Sequence, residues 1–156
     1  MDIVGVTGDF VVREEEVDML LVARGIGITP FLAILSALSA RRKVSARGHV
    51  VLVLSTREPN VLLNLFEPAL GNVPSTIRFK LDLFTTRSID LDIEKFSQEN
   101  VHTSVHKGRI GAEYWKAVSK DKDVFICGPN AFGDAAVDSL RAAGVPNEEI
   151  QREGFY

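Results

Sequence analysis

Two short segments carry residue types whose spacing could do chemistry. The first is Ala23-Arg24-Gly25-Ile26-Gly27-Ile28-Thr29-Pro30, which follows an apolar run and precedes a stretch of helical period. A turn from the carboxyl end of a central strand into a helix presents backbone amides and the positive end of a helix dipole, which suits a pyrophosphate. The glycines let backbone approach the ligand, Thr29 is a good helix cap, and Pro30 suits the first helical position. The same glycines equally serve a tight turn with no ligand at all. If they do bind, Gly27→Val is expected to abolish binding and leave the fold intact. The second segment is Val124-Phe125-Ile126-Cys127-Gly128-Pro129, an apolar strand ending in a sharp turn. In an open parallel sheet both carboxyl ends lie along one edge, so both turns can face one ligand.

Better-known alternatives fail on particular residues. A phosphate-binding P-loop ends in Gly-Lys-Ser or Gly-Lys-Thr, and no lysine lies between Val4 and Lys43. A classical dinucleotide fingerprint would have glycine in place of Pro30 and an acid at the end of the second strand, where Ser55-Thr56-Arg57 stands instead. A cysteine phosphatase would need an arginine close behind Cys127, and the next is Arg141. Taken alone, Arg57 reads as a solvated turn residue and Cys127 as a small apolar residue at a strand end.

The elements that must position these turns alternate along the chain. Met19 to Ala23 is a continuous apolar run, as expected of a strand buried on both faces, and Phe31, Ile34, Leu35 and Leu38 then share one helical face. Val50 to Leu54 repeats the strand, with Leu62, Leu65, Phe66 and Ala69 at helical spacing after it. Ile77 to Phe84 is a third strand and Arg87 to Lys107 a long connection. A short helix is expected over Gly111 to Val118, a fourth strand over Val124 to Cys127, a helix burying Ala136, Leu140 and Ala143 that Gly144 ends, and a last strand over Ile150 to Glu153. This is the grammar of a doubly wound α/β fold with helices on both faces of a parallel sheet.

The 156 residues suit one domain. Eighteen Lys and Arg against twenty-one Asp and Glu leave a net charge of −3, which gathers neither nucleic acid nor an anionic membrane. Apolar runs fall far short of the roughly twenty residues of a membrane span. A single cysteine and no leader-like start point to an intracellular chain, cytoplasmic or mitochondrial, and the cysteine with three scattered histidines builds no zinc site; no metal is expected.

Together the pieces resemble the pyridine-nucleotide half of the ferredoxin-NADP reductase superfamily, from about Leu20 to Tyr156. The resemblance rests on Gly25 to Pro30, on Cys127 to Pro129, on His106-Lys107-Gly108-Arg109-Ile110 before the short helix, and on an ending with a late Glu153 and terminal aromatics. Arg24 departs from a common glycine, and Phe132 from a common methionine. The resemblance implies a five-stranded sheet in the order 3-2-1-4-5, a pyrophosphate on Gly25 to Thr29 and a nicotinamide near Cys127. Glu153 would join Cys127 around the hydride transfer, and Phe155 or Tyr156 would face a flavin. Thr86-Arg87 matches the place where NADP-using members carry Ser-Arg, so Arg57, Thr86 and Arg87 are expected to favour NADP over NAD.

In that superfamily an antiparallel barrel ahead of the nucleotide domain holds FAD. Residues 1–18 are too few for it, and Val6 to Phe10 resembles its last turn and strand. Residues 1–18 are therefore expected to be a remnant or arm and residues 19–156 the NAD(P)-binding domain. The function implied is a flavin-dependent oxidoreductase half that places NAD(P)H beside FAD bound by a missing domain or subunit, with an unidentified electron acceptor beyond. The alternative is a non-catalytic nucleotide sensor or docking subunit.

Overall fold

The structure is a computed structural model that describes residues 3–5, 11–13, 16–40, 47–71, 73, 75–89, 92–119 and 122–155. Among these, side chains are described except at 3–5, 11–13, 16–17, 26, 36–40, 47 and 153–155. The short strands β1 (Ile3–Gly5) and β2 (Val11–Arg13) pair antiparallel in a sheet of their own, and Val6 to Phe10 lies outside the described residues.

The strand anticipated at Met19 to Ala23 runs as β3 (Glu16–Arg24), starting three residues earlier. It is central: β4 (Arg47–Ser55) lies parallel on one side and β7 (Asp123–Pro129) parallel on the other, with Leu21 level with both Leu52 and Phe125. Its apolar run is buried because both faces are covered. At the opposite end of the strand from the glycine turn, the His49 amide donates to Asp18 Oδ1 at 3.0 Å. β5 (Ile77–Thr85) extends the sheet beyond β4, and β8 (Ile150–Phe155) closes it beyond β7.

The sheet has six strands, not five. β6 (Val101–Lys107) lies parallel to β5 at the edge, giving the order β6-β5-β4-β3-β7-β8. The five expected strands keep their order and the sixth stands where a long connection was expected. Its sequence, VHTSVHK, is that of a half-solvated edge strand: burial alternates over Val101, His102 and Thr103, and Val105 and Lys107 are exposed, so it lacks an apolar run. A 3-10 turn over Ile93–Phe96 precedes it, and Thr103 Oγ1 donates to the Phe96 carbonyl at 2.8 Å.

Helices α1 (Thr29–Ala40) and α2 (Pro59–Leu70) cover one face, where Phe31, Ile34, Leu63 and Phe66 pack on Leu21, Leu52 and Phe125. Leu65 was expected on the buried side of α2 but is 54% exposed, and Leu63 is buried in its stead. The side chain of Leu38 lies outside the described residues. Helices α3 (Ala112–Val118) and α4 (Asn130–Ala142) cover the other face with Trp115, Val118, Ala136 and Leu140. Gly144 takes φ +98°, and the Gly144 and Val145 amides close on Arg141 and Leu140, so the glycine ends α4 as anticipated. Among the described residues no helix is long and apolar enough to cross a membrane.

Candidate functional site

The carboxyl ends of β3, β4 and β5 open into a cleft of about 630 Å³ on the face covered by α3 and α4. Phe84 and Trp115, both nearly fully buried, line it with aromatic surface. On α4, Ala131, Ala135, Ala136 and Ser139 form a wall of small side chains, with Phe132 at its near end. Ser55, Thr56, Thr85 and Thr86 bring hydroxyls from the ends of β4 and β5. Three arginines also line the cleft, the exposed Arg24, Arg57 and Arg109. No Asp or Glu lines it, and no carboxylate among the described residues pairs with any of the three. Arg24 rests instead over the Phe132 ring, 5.9 Å from its centroid.

The glycine turn is built beside this cleft. Gly25–Ile28 is one turn of 3-10 helix leading into α1, and Gly25 holds φ +57°, a conformation that favours glycine, with open space around it. Gly27 serves contact: a Cβ there would lie 2.3 Å from the Cys127 carbonyl oxygen. The expectation that Gly27→Val leaves the fold intact is therefore corrected, because any side chain forces this turn away from β7. Ile28 is buried in the core, Thr29 is exposed, Pro30 is half-buried, and the side chain of Ile26 lies outside the described residues.

The expected site residues divide into two groups. Ser55, Thr56, Arg57, Thr86 and Phe132 meet in the cleft. Residues 25–30, Arg87 and Cys127 to Pro129 do not line it. Arg87 is exposed, and its amide donates to Thr85 Oγ1 at 3.1 Å. Cys127 is 2% exposed and packs in the core on the α1 and α2 face. Gly128 leaves room for its neighbours, since a Cβ there would lie 2.9 Å from the Phe132 ring and 3.3 Å from Arg24 Cβ. The register sets Glu153 beside Cys127 and Phe155 beside Pro129, although their side chains and Tyr156 lie outside the described residues.

Sequence reasoning gave no site role to Arg109, Ile110 or Trp115, all of which line the cleft. The signal available was the arrangement Gly108-Arg109-Ile110-Gly111, an arginine between two glycines directly after a strand. Gly108 takes φ +92° there and turns the chain toward the cleft. Behind the aromatic lining, the Tyr114 hydroxyl donates to Asp82 Oδ2 at 2.5 Å; burial first, and then this carboxylate, push its pKa far above the ordinary tyrosine value.

A dinucleotide fits this chemistry. The cleft is within the range of small-molecule and cofactor sites, its cations lack carboxylate partners among the described residues, and its aromatic lining offers a face to a ring. Comparison with known proteins agrees. Residues 21–138 match the model of the oxidoreductase NAD-binding domain, and the chain belongs to that family. It is 30% identical over 149 residues to the ferredoxin reductase component of 3-ketosteroid-9-alpha-monooxygenase from Mycolicibacterium smegmatis, covering 96% of this chain and 37% of that protein. It is 28% identical over 143 residues to a component of 1,2-phenylacetyl-CoA epoxidase from Escherichia coli, covering 87% of this chain and 36% of that protein. The chain thus spans little more than a third of the length of these relatives. Its fold is similar to that of the flavohem-like FAD/NAD binding domain of nitric oxide dioxygenase from Vibrio cholerae, with TM-score 0.56 and 22% identity over 96% of this chain and 55% of that one.

Proposed function

We propose that this chain is the pyridine-nucleotide-binding half of a flavin-dependent oxidoreductase, and that it holds NAD(P)H for hydride transfer to an FAD carried by a separate domain or subunit. The observation that carries this reading is that Arg24, Arg57 and Arg109 line one cleft and that no carboxylate among the described residues pairs with them. Three like charges around one aromatic-lined cleft favour the entry of an anion, and a dinucleotide brings two or three phosphates.

The amides of the Gly25 to Thr29 turn and Arg24 beside it receive the diphosphate, and Ser55, Thr56, Arg57 and Thr86 receive the adenosine end. With cations and hydroxyls but no acid lining that end, NADP is favoured over NAD. Glu153 next to Cys127 and Phe155 next to Pro129 support a nicotinamide at the end of β7, where Phe155 or Tyr156 borders the flavin. The bound nucleotide supplies the hydride and the flavin passes electrons to a further acceptor. The relatives are named as a ferredoxin reductase component and part of an epoxidase, which supports an intracellular electron-transfer partner of this kind.

Calorimetric titration with NADPH and NADH tests the reading. NADPH is expected to bind about tenfold tighter, the worth of one charge-assisted contact. Failure of both to bind at about 1 mM, the weak end of specific association, overturns it.

A further inference from the structure

Asp82 lies in the middle of β5 and is fully buried, where a carboxylate is costly unless bonded. Its Oδ1 lies 3.0 Å from His106 Nε2, its Oδ2 accepts from the Tyr114 hydroxyl at 2.5 Å, and Lys80 Nζ reaches Oδ2 at 3.4 Å. His106 lies near the end of β6 and Tyr114 in the first turn of α3, so the two residues bracket the loop from Lys107 to Gly111. One carboxylate therefore grips both ends of the loop that carries Arg109 and Ile110 into the cleft. Phe84 fills the clasp: it stacks on His106 at 4.5 Å with 12° between the planes and meets Tyr114 edge-on at 5.0 Å. Phe84 also lines the cleft, so clasp and cleft share a wall.

Stability alone gives weak grounds for such a group, because a buried ionic cluster is often no better than apolar side chains of the same volume. What a carboxylate adds is direction, with two oxygens each aimed at a different element. We infer that Asp82, acting through His106 and Tyr114, is a positioning residue that fixes the Gly108 to Gly111 loop so that Arg109 faces the anion in the cleft. The identity of that anion rests on the nucleotide reading; the clasp itself does not.

Two measurements on the full chain separate these. Amide hydrogen exchange at Gly108 to Gly111, without nucleotide, is expected to be about tenfold faster in Tyr114→Phe than in the wild type, while β4 is unchanged. Calorimetry with NADPH then runs a double-mutant cycle. Arg109→Gln is expected to weaken binding about tenfold and Tyr114→Phe about fivefold, with the double variant no weaker than Arg109→Gln alone, since the clasp acts through Arg109. Tyr114→Phe removes only a hydroxyl, and Asp82→Asn, which keeps the shape and one acceptor, should show the same coupling. Unchanged exchange in both variants, or losses that simply add in the cycle, overturns the clasp. A wild type that binds neither NADPH nor NADH overturns the nucleotide reading, and the exchange result then decides the clasp by itself.

Discussion

Gly27→Ala is expected to destabilise the chain more than Gly25→Ala, although Gly25 is the glycine with the left-handed backbone. The reason is what each new methyl would meet. At Gly27 it would lie 2.3 Å from the Cys127 carbonyl oxygen and 2.8 Å from the carbonyl carbon, where comfortable carbon contacts are about 3.5 to 4.0 Å. More than 1 Å of separation must therefore open. The obstacle is the backbone of β7, which is paired to β3 at Cys127 and Ala23 and cannot swing aside as a side chain would. Overpacking costs about 1 to 3 kcal/mol, and a rigid backbone obstacle places this case near about 3 kcal/mol. At Gly25 nothing lies within 4 Å, so the cost is the left-handed conformation alone, about 1 kcal/mol. For a chain of this size 1 kcal/mol moves the melting midpoint by roughly 2 to 4 °C, so drops of about 9 °C and about 3 °C are expected. Thermal unfolding followed by circular dichroism, with urea titrations to confirm unchanged slopes, makes the comparison. A Gly27→Ala variant that melts with the wild type, or above Gly25→Ala, refutes the argument that this glycine exists for contact with β7.

The remaining predictions concern selectivity and pH. Arg57→Gln is expected to weaken NADPH about tenfold and NADH less than about twofold, whereas Arg87→Ala leaves both nearly unchanged because Arg87 does not line the cleft; the reverse pattern, read by calorimetry, would reassign the 2'-phosphate to Arg87. Burial and then Lys122 hold His49 below the ordinary histidine value of about 6.5, so the unfolded chain takes up this proton more readily than the folded one. Stability from this group is full above that value and is lost as pH falls, so the unfolding midpoint should drop between about pH 7 and 5 and His49→Gln should flatten the drop; equal slopes in the two proteins would rule His49 out. At the alkaline end the raised Tyr114 hydroxyl stabilises the fold completely below about pH 10, and that contribution is lost as pH rises further. In a Tyr156→Phe background, phenolate absorbance should then appear only as the chain unfolds, and a native phenolate near pH 10 would contradict the burial of Tyr114.

The sheet was legible wherever burial on both faces forces an unbroken apolar run, as at Met19 to Ala23, Val50 to Leu54 and Val124 to Cys127. β6 escaped because an edge strand is half solvated and its residues, VHTSVHK, hold no apolar run. Leu65 illustrates the complementary limit: helical spacing admits it beside Leu62, but the buried arc of α2 runs the other way round the helix, through Pro59, Phe66 and Leu70 to Leu63, and leaves Leu65 out. The strand ends gave Ser55, Thr56, Arg57 and Thr86 directly, because in a parallel sheet chain order fixes which edge they occupy. Arg109 and Trp115 depend on how β6 and α3 fold back over β5, which no local pattern encodes. Asp82 was hardest to read, since a charged residue within Arg78-Phe79-Lys80-Leu81-Asp82 reads as solvent-facing until His106 and Tyr114 arrive from other elements.

Charge explains how an acidic chain can hold an anion. The net charge of −3 argues against long-range attraction of polyanions, yet a small ligand responds to the few groups within a Debye length, roughly 8 to 10 Å at ordinary salt. Around the cleft those groups are Arg24, Arg57 and Arg109, and the buried rings of Phe84 and Trp115 keep water off one side of it. Glu58 follows Arg57 in the chain and Asp82 shares β5 with Phe84, yet neither lines the cleft. Glu58 is exposed, its amide held by Thr56 Oγ1 at 2.9 Å. Asp82 faces His106, Tyr114 and Lys80, which take up its oxygens before they can act on the cleft. The buried carboxylate thus shapes the wall while its charge is answered locally, and the cleft keeps the positive field that a phosphate needs.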